Sequence, residues 1–287
     1  MTPSSVPQPG TLYVVATPLG NLEDLSFRAV RVLGEVDLVL AEDTRRTRGL
    51  LAHLDLHKPL ESLHGDSHPG RITHVLEALA EGHSVAYLSD AGTPGVSDPG
   101  AALVRAAREA GLPVVPVPGP SAPATAFSVS GFTTSGFLFV GYPPRSAGQR
   151  REFLLHWASL GLPVILFESP QRIPETLADL AALLPDREVV LARELTKQFE
   201  QIVACPAREA PAALTPEQLR GEFTLLIAAP EGGAASPDAG RAPDEAQLAE
   251  AVRLLREAGL PRRTLAQVLQ LLTPLSRNQA YARAGAP

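Results

Sequence analysis

The chain reads as an α/β protein of two domains followed by a small C-terminal helical region. Three observations predict this. Short apolar runs alternate with helix-length amphipathic segments through most of the sequence; many of the runs end in Gly- and Pro-rich loops; and the final segment is helical and basic within a chain whose net charge is −6. Repeated strand–loop–helix units of this length imply a parallel sheet covered by helices. The 287 residues suit two ordinary domains, and 45% hydrophobic composition supplies ample core. The expected division is an N-terminal α/β domain over 1–130, a second α/β domain over 136–229, a flexible linker over 230–243 and a helical region over 244–287.

Taken in order, Leu12–Ala16 reads as the first strand and Thr17–Asn21 as the loop leaving it. A helix over Ser26–Leu33 leads to a strand over Val36–Ala41, after which Glu42–Arg48 opens a helix near Thr44. Arg71–Ala80 is helical and precedes the strand Ser84–Leu88. The stretch Ser89-Asp90-Ala91-Gly92-Thr93-Pro94-Gly95-Val96-Ser97-Asp98-Pro99-Gly100 follows, with Ser97 or Asp98 placed to cap the helix Ala101–Ala110 and Pro99 in its first turn. Pro113–Val117 is the next strand, and Ser121 is placed to cap a helix reaching Ser128. Beyond a break at Gly131–Ser135, strands are expected at Phe137–Gly141, Pro163–Phe167, Glu188–Ala192, Gln201–Cys205 and Phe223–Ala228. Helices are expected at Gln149–Ala158 and Ile173–Leu184, and then at Glu245–Ala258, Arg262–Leu272 and Arg277–Ala284.

Several classes fall away on composition and motif. No apolar run approaches the roughly 18 residues of a membrane span, and the polar, Pro-rich start is not a signal peptide. A cytoplasmic protein is the default. The single cysteine, Cys205, excludes an internal disulfide and a multi-cysteine metal site. There is no G-x-G-x-x-G after the first strand, no P-loop, no H-E-x-x-H and no G-x-S-x-G. His64-Gly65-Asp66-Ser67-His68 offers two imidazoles without a third anchor, and no metal is expected.

What remains is four loops at the carboxyl ends of strands: Thr17–Asn21, Glu42–Arg45, Ser89–Gly100 and Pro118–Ala122. In open α/β sheets ligands bind at that edge. Glycines let the backbone approach a ligand, prolines stiffen the loops, and Asp90 offers a carboxylate to a ribose or an amine. Such a site suits a nucleoside-like ligand held mainly by backbone.

The motifs that line these loops resemble those of the tetrapyrrole-methylase family of S-adenosylmethionine-dependent (class III) methyltransferases. They are Leu12–Asn21 (LYVVATPLGN), Ala41–Arg45 (AEDTR), Ser89–Pro94 with Ser97–Gly100 (SDAGTP and SDPG), Pro116–Ala122 (PVPGPSA) and Ala192–Lys197 (ARELTK). The resemblance covers about Leu12–Ala228, and the combination AEDTR, SDAGTP and ARELTK points to the family's ribosomal RNA branch. It implies two α/β domains with S-adenosylmethionine in the cleft between them. The implied reaction is 2′-O-methylation of a cytidine, cytidine 1402, in 16S ribosomal RNA, with the 30S subunit as the expected substrate and a homodimer as the expected enzyme. Relatives acting on a tetrapyrrole or a protein side chain, and a non-catalytic RNA-binding assembly factor, are the rival readings. One departure from the family is His64–His68, where a His-x-His-Asn-Glu run is usual.

Carried over residue by residue, the resemblance puts Pro18 and its loop under the methionine or adenosine portion of the cofactor, and Asp90, Gly92 and Thr93 along its ribose and methionine side. It puts Ser121 and Ala122 beside adenine, with Phe167 and the Phe223–Leu226 strand, Leu226 included, closing the pocket from the second domain. A base for the ribose hydroxyl is sought among Glu42, Asp43, Lys197 (if neutral) and Glu200. For Asp43, helix capping is an equally good reading. Phosphate contacts are expected from Arg45, Arg46 and Arg48, from Arg145, Arg150 and Arg151, and from Arg262, Arg263 and Arg277 in a C-terminal stretch that lacks Asp and Glu from Pro261 onward.

Overall fold

A parallel sheet grows outward from β1 (Leu12–Val15). Its neighbours β4 (Val85–Leu88) and β5 (Val114–Val117) flank it in register, Leu12 opposite both Val85 and Val114. Beyond β4 come β2 (Leu38–Ala41) and the edge strand β3 (Leu60–Ser62), giving the order β3-β2-β4-β1-β5 with all pairs parallel. The computed structural model describes residues 9–63, 69–97, 100–230, 252–253, 255, 260–272 and 277–285. The short, half-buried β3 was not expected, because Leu60-Glu61-Ser62 has no apolar run to announce it.

Helices cover both faces, as parallel strands buried on two sides require. On one face α1 (Phe27–Glu35) and α2 (Thr44–His53) pack Val32, Leu33, Leu50 and Leu51 onto Val15, Val39 and Leu88. On the other, α3 (Pro69–Ala80) and α4 (Ala101–Glu109) pack around Leu12, Leu40 and the fully buried Tyr87. The expected cap of α4 is corrected. Gly100 is its N-cap, without a side-chain hydrogen bond, and Ser97 lies earlier at φ +61°. A Cβ at Gly100 would stand 2.2 Å from Tyr87 Cε1, so tight packing selects a residue that cannot cap. Asp98 and Pro99 lie outside the described residues. Ser121 does sit at the N-cap of α5 (Ala122–Ser128), but its side chain makes no capping hydrogen bond.

The second sheet is mixed. β6 (Leu138–Phe139) runs parallel to β7 (Val164–Glu168), which pairs antiparallel with β10 (Phe223–Ile227); β8 (Glu188–Arg193) and β9 (Gln201–Pro206) follow, also antiparallel. One face carries α6 (Ala147–Ala158) and α7 (Ile173–Leu183) over Leu166, Val189, Leu191 and Leu225. The opposite face meets the first sheet's loops and α5. There Leu19, Ala126, Ile165, Val190, Leu195 and Leu226 form one apolar cluster. Residues 1–232 thus make one compact unit containing both sheets.

Residues 233–287 make a second unit. Its described residues include α8 (Arg262–Leu272) and α9 (Arg277–Gly285), joined by Val252, Leu265, Leu269, Ala280 and Ala284. The expected linker from Gly232 on, and most of the Glu245–Ala258 helix, lie outside the described residues. Among those described, no helix is long and apolar enough to cross a membrane.

Arg150 is the clearest correction to the expected RNA-binding set. Its side chain is 3% exposed and donates through Nε to Asp179 Oδ2 (2.7 Å) and through Nη1 to Glu175 (2.9 Å). Arg151 also donates to Asp179, at 2.7 Å. The local sequence around Arg145–Arg151 holds no acidic residue until Glu152, but α7 supplies two carboxylates across the packing interface. Burial pushes the Asp179 carboxyl up, and the hydrogen bonds from Arg151 and Arg150 outweigh it and hold it below its ordinary value. Replacing Asp179 by Ala leaves a buried guanidinium with the exposed Glu175 and a 3.5 Å contact to the Arg145 carbonyl, and is expected to destabilise the fold by about 3 kcal/mol in urea titrations. Because the folded-state pKa is lowered, Asp179's contribution is present above the unfolded carboxyl value and fades as pH falls through the folded one. The difference between variant and wild type should therefore shrink in acid.

Candidate active site

All four loops predicted at strand ends do converge, because β1, β2, β4 and β5 are parallel and finish at one edge. From that edge Leu19, Glu42, Arg46, Asp90, Ala91 and Ala122 line a cavity of about 320 Å³. Its facing wall comes from the second sheet. Phe167 and Glu168 end β7, Phe223 and Thr224 begin the antiparallel β10 beside them, and Tyr142 follows β6. A second cavity of about 330 Å³ shares Leu19, Arg46 and Asp90 with the first and adds Pro18, Gly20 and Leu22. Both volumes suit a small-molecule site, typically roughly 300–1,000 Å³.

Asp90 ties this edge together. Its Oδ1 accepts from the backbone N–H of Asp43 at 2.8 Å, linking the ends of β4 and β2, while Oδ2 faces Arg46 Nε at 3.9 Å. The Asp90 side chain is 28% exposed, so its carboxylate keeps access to the cavity. Gly92 and Thr93 serve the same loops as struts. Thr17 and Gly92 exchange backbone hydrogen bonds (2.9 and 3.1 Å), and Thr93 Oγ1 donates to the Pro120 carbonyl at 2.9 Å. Gly92 holds φ +81°, and a Cβ there would press on Leu19 Cδ2 at 3.1 Å. Neither residue lines a cavity wall among the described residues, nor does Ser121; Ala122 does.

Asp43 is a helix cap. Its Oδ1 accepts from Arg45 N at 2.8 Å, and its carboxylate forms an ion pair with the Arg45 guanidinium at 2.7 Å. The side-chain hydrogen bond from Arg45, helped by the backbone one, lowers its pKa to about 2. A carboxylate so stabilised is a poor base. Lys197 is corrected in the opposite sense. Burial lowers its pKa, but hydrogen bonds to Glu194 (2.8 Å) and Glu222 (3.1 Å) overcome that and raise it, so the side chain is an ammonium. Its stem lies over Gly20, where a Cβ would meet Lys197 Cγ at 2.2 Å, and Asn21 N donates to Thr196 Oγ1 at 3.2 Å. The ARELTK loop therefore buttresses the Thr17–Asn21 loop. Glu200 belongs to that loop, accepting from Thr196 N at 2.6 Å. Of the candidate bases, Glu42 is the one on the cavity wall.

Leu226 is fully buried in the cluster between the sheets, and Thr224, two residues earlier on the same face, takes the lining position. Sequence reasoning missed Tyr142, Glu168 and Glu222. Glu168 is buried, accepting from Thr176 Oγ1 (2.7 Å) and Ser169 N (2.9 Å) and facing Arg172 at 3.4 Å. A carboxylate closing an apolar strand was the signal for it. Glu222 had no such mark, since only the antiparallel pairing brings the start of β10 to this edge.

Of the expected RNA contacts, Arg46 lines both cavities, Arg45 is 85% exposed though paired with Asp43, and Arg48 and Arg145 are exposed. In the second unit Arg263 is exposed, and Arg262 donates to the Tyr281 carbonyl at 3.0 Å. The side chain of Arg277 and the His64–His68 stretch lie outside the described residues. Among the described residues no three metal-ligating side chains cluster.

The family model for tetrapyrrole (corrin/porphyrin) methylases matches residues 11–211, which span the first sheet and most of the second, up to but not including β10. The chain belongs to that family. A ribosomal RNA small subunit methyltransferase I of Neisseria meningitidis serogroup B is 45% identical over 220 residues, 76% of either chain. Its counterpart in Xylella fastidiosa is 41% identical over 276 residues, 95% of this chain and 98% of that one. Among solved structures, a cobalt precorrin-4 methyltransferase (TM-score 0.59, 17% identity, 76% of this chain and 94% of that one) shares the fold. So does a diphthine synthase (TM-score 0.60, 15% identity, 77% and 90%).

The family's cofactor is S-adenosylmethionine, and the lining fits it. Asp90 sets a partly exposed carboxylate on the wall, which suits the ammonium of the methionine portion. Leu19, Val96, Ala122 and Phe167 provide apolar surface for a purine. Filling this space with Ala122→Phe is expected to weaken S-adenosylmethionine binding at least about tenfold by calorimetry, with little change in thermal midpoint. Lys197→Arg, which keeps the cation, is expected to retain about half or more of the activity. Since the raised pKa keeps Lys197 charged throughout, the pH–rate profile should show no limb from it between about pH 6 and 9.

Proposed function

We propose that this chain transfers a methyl group from S-adenosylmethionine to the ribose 2′-hydroxyl of a cytidine, cytidine 1402, in 16S ribosomal RNA. In this reading it works in the cytoplasm as a homodimer on the 30S subunit. The observation that carries it is the name shared by relatives 41–45% identical, one of them over 95% of this chain. The exposed arginines at the start of α2, beside the cavity, support a polyanionic acceptor. The cofactor supplies an already electrophilic methyl group, so the protein's tasks are alignment and proton removal. As the new C–O bond forms and the C–S bond breaks, the hydroxyl proton passes to the Glu42 carboxylate and on to solvent. Asp90 positions the loops that bound the cofactor, and Arg46 contacts a phosphate next to the target ribose.

The test is transfer of labelled methyl to unmodified 30S subunits, with free 16S RNA and a tetrapyrrole in parallel. The expected result is label in 30S that maps to a ribose 2′-oxygen. Label in the tetrapyrrole alone would overturn the substrate, and cofactor binding without transfer would make the chain an assembly factor. Glu42→Gln should lower kcat by about 10²-fold or more while S-adenosylmethionine binding is unchanged.

A further inference from the structure

We infer that Tyr142 and Glu222 form a nucleobase subsite at the mouth of the cavity, taking a base that carries an exocyclic amine. This deepens the reading above and rests on it, because it requires a nucleotide acceptor.

Tyr142 lines the cavity yet remains 56% exposed. It follows Gly141, whose φ of +67° turns the chain away from β6. Its ring meets Phe167 at a tilt, with centroids 5.6 Å apart, and Phe167 is itself packed edge-on against Phe139 at 4.8 Å. The tyrosine ring thus meets Phe167 at a 60° tilt, Phe139 supports Phe167 in turn, and more than half of the tyrosine stays exposed. Such a ring at the entrance to a reaction cavity suits a planar base, and stacking of this kind is worth on the order of tenfold or more in affinity.

Glu222 supplies the second element. Its side chain is 61% exposed and lines the same cavity. Oε2 is fixed by Lys197 Nζ at 3.1 Å, and the backbone N–H donates to Glu194 Oε1 at 2.9 Å, so the carboxylate is held in place. Its charge reaches the tyrosine: burial first, and then Glu222 and Glu168, push the Tyr142 phenol above its ordinary pKa. An ionised carboxylate only accepts hydrogen bonds. A base offering an amine to it, as cytosine offers N4, is favoured, and uracil, which places a carbonyl there, is repelled. Lys197 then has a second role: it orients the carboxylate that reads the base.

The experiment measures methyl transfer to 30S subunits and, separately, S-adenosylmethionine binding by calorimetry, for wild type, Tyr142→Ala, Tyr142→Phe and Glu222→Gln. Tyr142→Ala should raise KM for the RNA about tenfold or more with cofactor affinity unchanged, and Tyr142→Phe should restore it. Subunits with uridine at the methylated position should be poor substrates for wild type, and Glu222→Gln, whose amide can also donate, should narrow the cytidine-to-uridine preference about tenfold. An unchanged KM in Tyr142→Ala, an unchanged preference in Glu222→Gln, or a loss of cofactor affinity matching the loss for RNA overturns the subsite. Wild type that methylates a tetrapyrrole and no RNA overturns the underlying reading, and the subsite with it.

Discussion

The apolar seam between the two sheets is the constraint on which the site depends. Leu19 from the first cofactor loop, Ala126 from α5 and Ile165, Val190 and Leu226 from the second sheet are all buried in it, ringed by Phe127, Phe132, Phe137 and Phe139. Each Leu or Ile taken from water here contributes about 1.5–3 kcal/mol. The seam fixes the distance between the carboxyl edge of one sheet and the near edge of the other. A cavity walled by both sheets exists only because this contact does not slide. Leu19 makes the coupling direct, since it belongs both to the seam and to the cavity lining.

Around that seam the loops are held by polar struts. The Thr17–Gly92 exchange, the Ser89 and Thr93 hydroxyls on the Gly92 and Pro120 carbonyls, and the Asp90 contact with the Asp43 amide join all four strand ends. On the opposite side, Glu194 and Thr196 hold left-handed φ values of +50° and +65°, unusual for residues with a Cβ. Lys197, Glu222 and Glu200 supply the hydrogen bonds that keep them there. Gly221, at φ +84°, leaves no room for a Cβ beside Glu194. The ARELTK motif is thus a strained loop, braced from both sides, whose lysine covers Gly20. Its value to the site is rigidity: preorganised walls spare a ligand the entropy of ordering them.

The electrostatics separate two roles that look alike in sequence. Arg46 remains on the cavity wall, 3.9 Å from its nearest carboxylate and more than half exposed, so it keeps the capacity to meet a phosphate. Arg150 is buried and paired with Asp179 and Glu175 within the second sheet's helical layer. Likewise Asp43 and Glu42 are adjacent, yet one caps α2 against Arg45 and the other faces the cavity.

The sequence by itself determined the parallel first sheet, nearly every strand and helix within a few residues, and the four loops at one edge. Period and turn chemistry are local properties, and parallel strands carry their carboxyl ends to the same side whatever their order. The motifs ATPLGN, AEDTR, SDAGTP and ARELTK also disclosed the family and its cofactor. What only the tertiary structure decided was partnership across distance. Nothing near Arg150 showed that α7 would neutralise it. Nothing near Lys197 showed that Glu222 would join Glu194 in holding it charged. Glu222 reaches the cavity only because β10 runs antiparallel to β7, Tyr142 because β6 runs parallel to β7, and Leu226 is removed from it because the seam claims that position. Charge state and access depend on which groups the fold brings within a few ångströms, and those groups lie tens of residues apart along the chain.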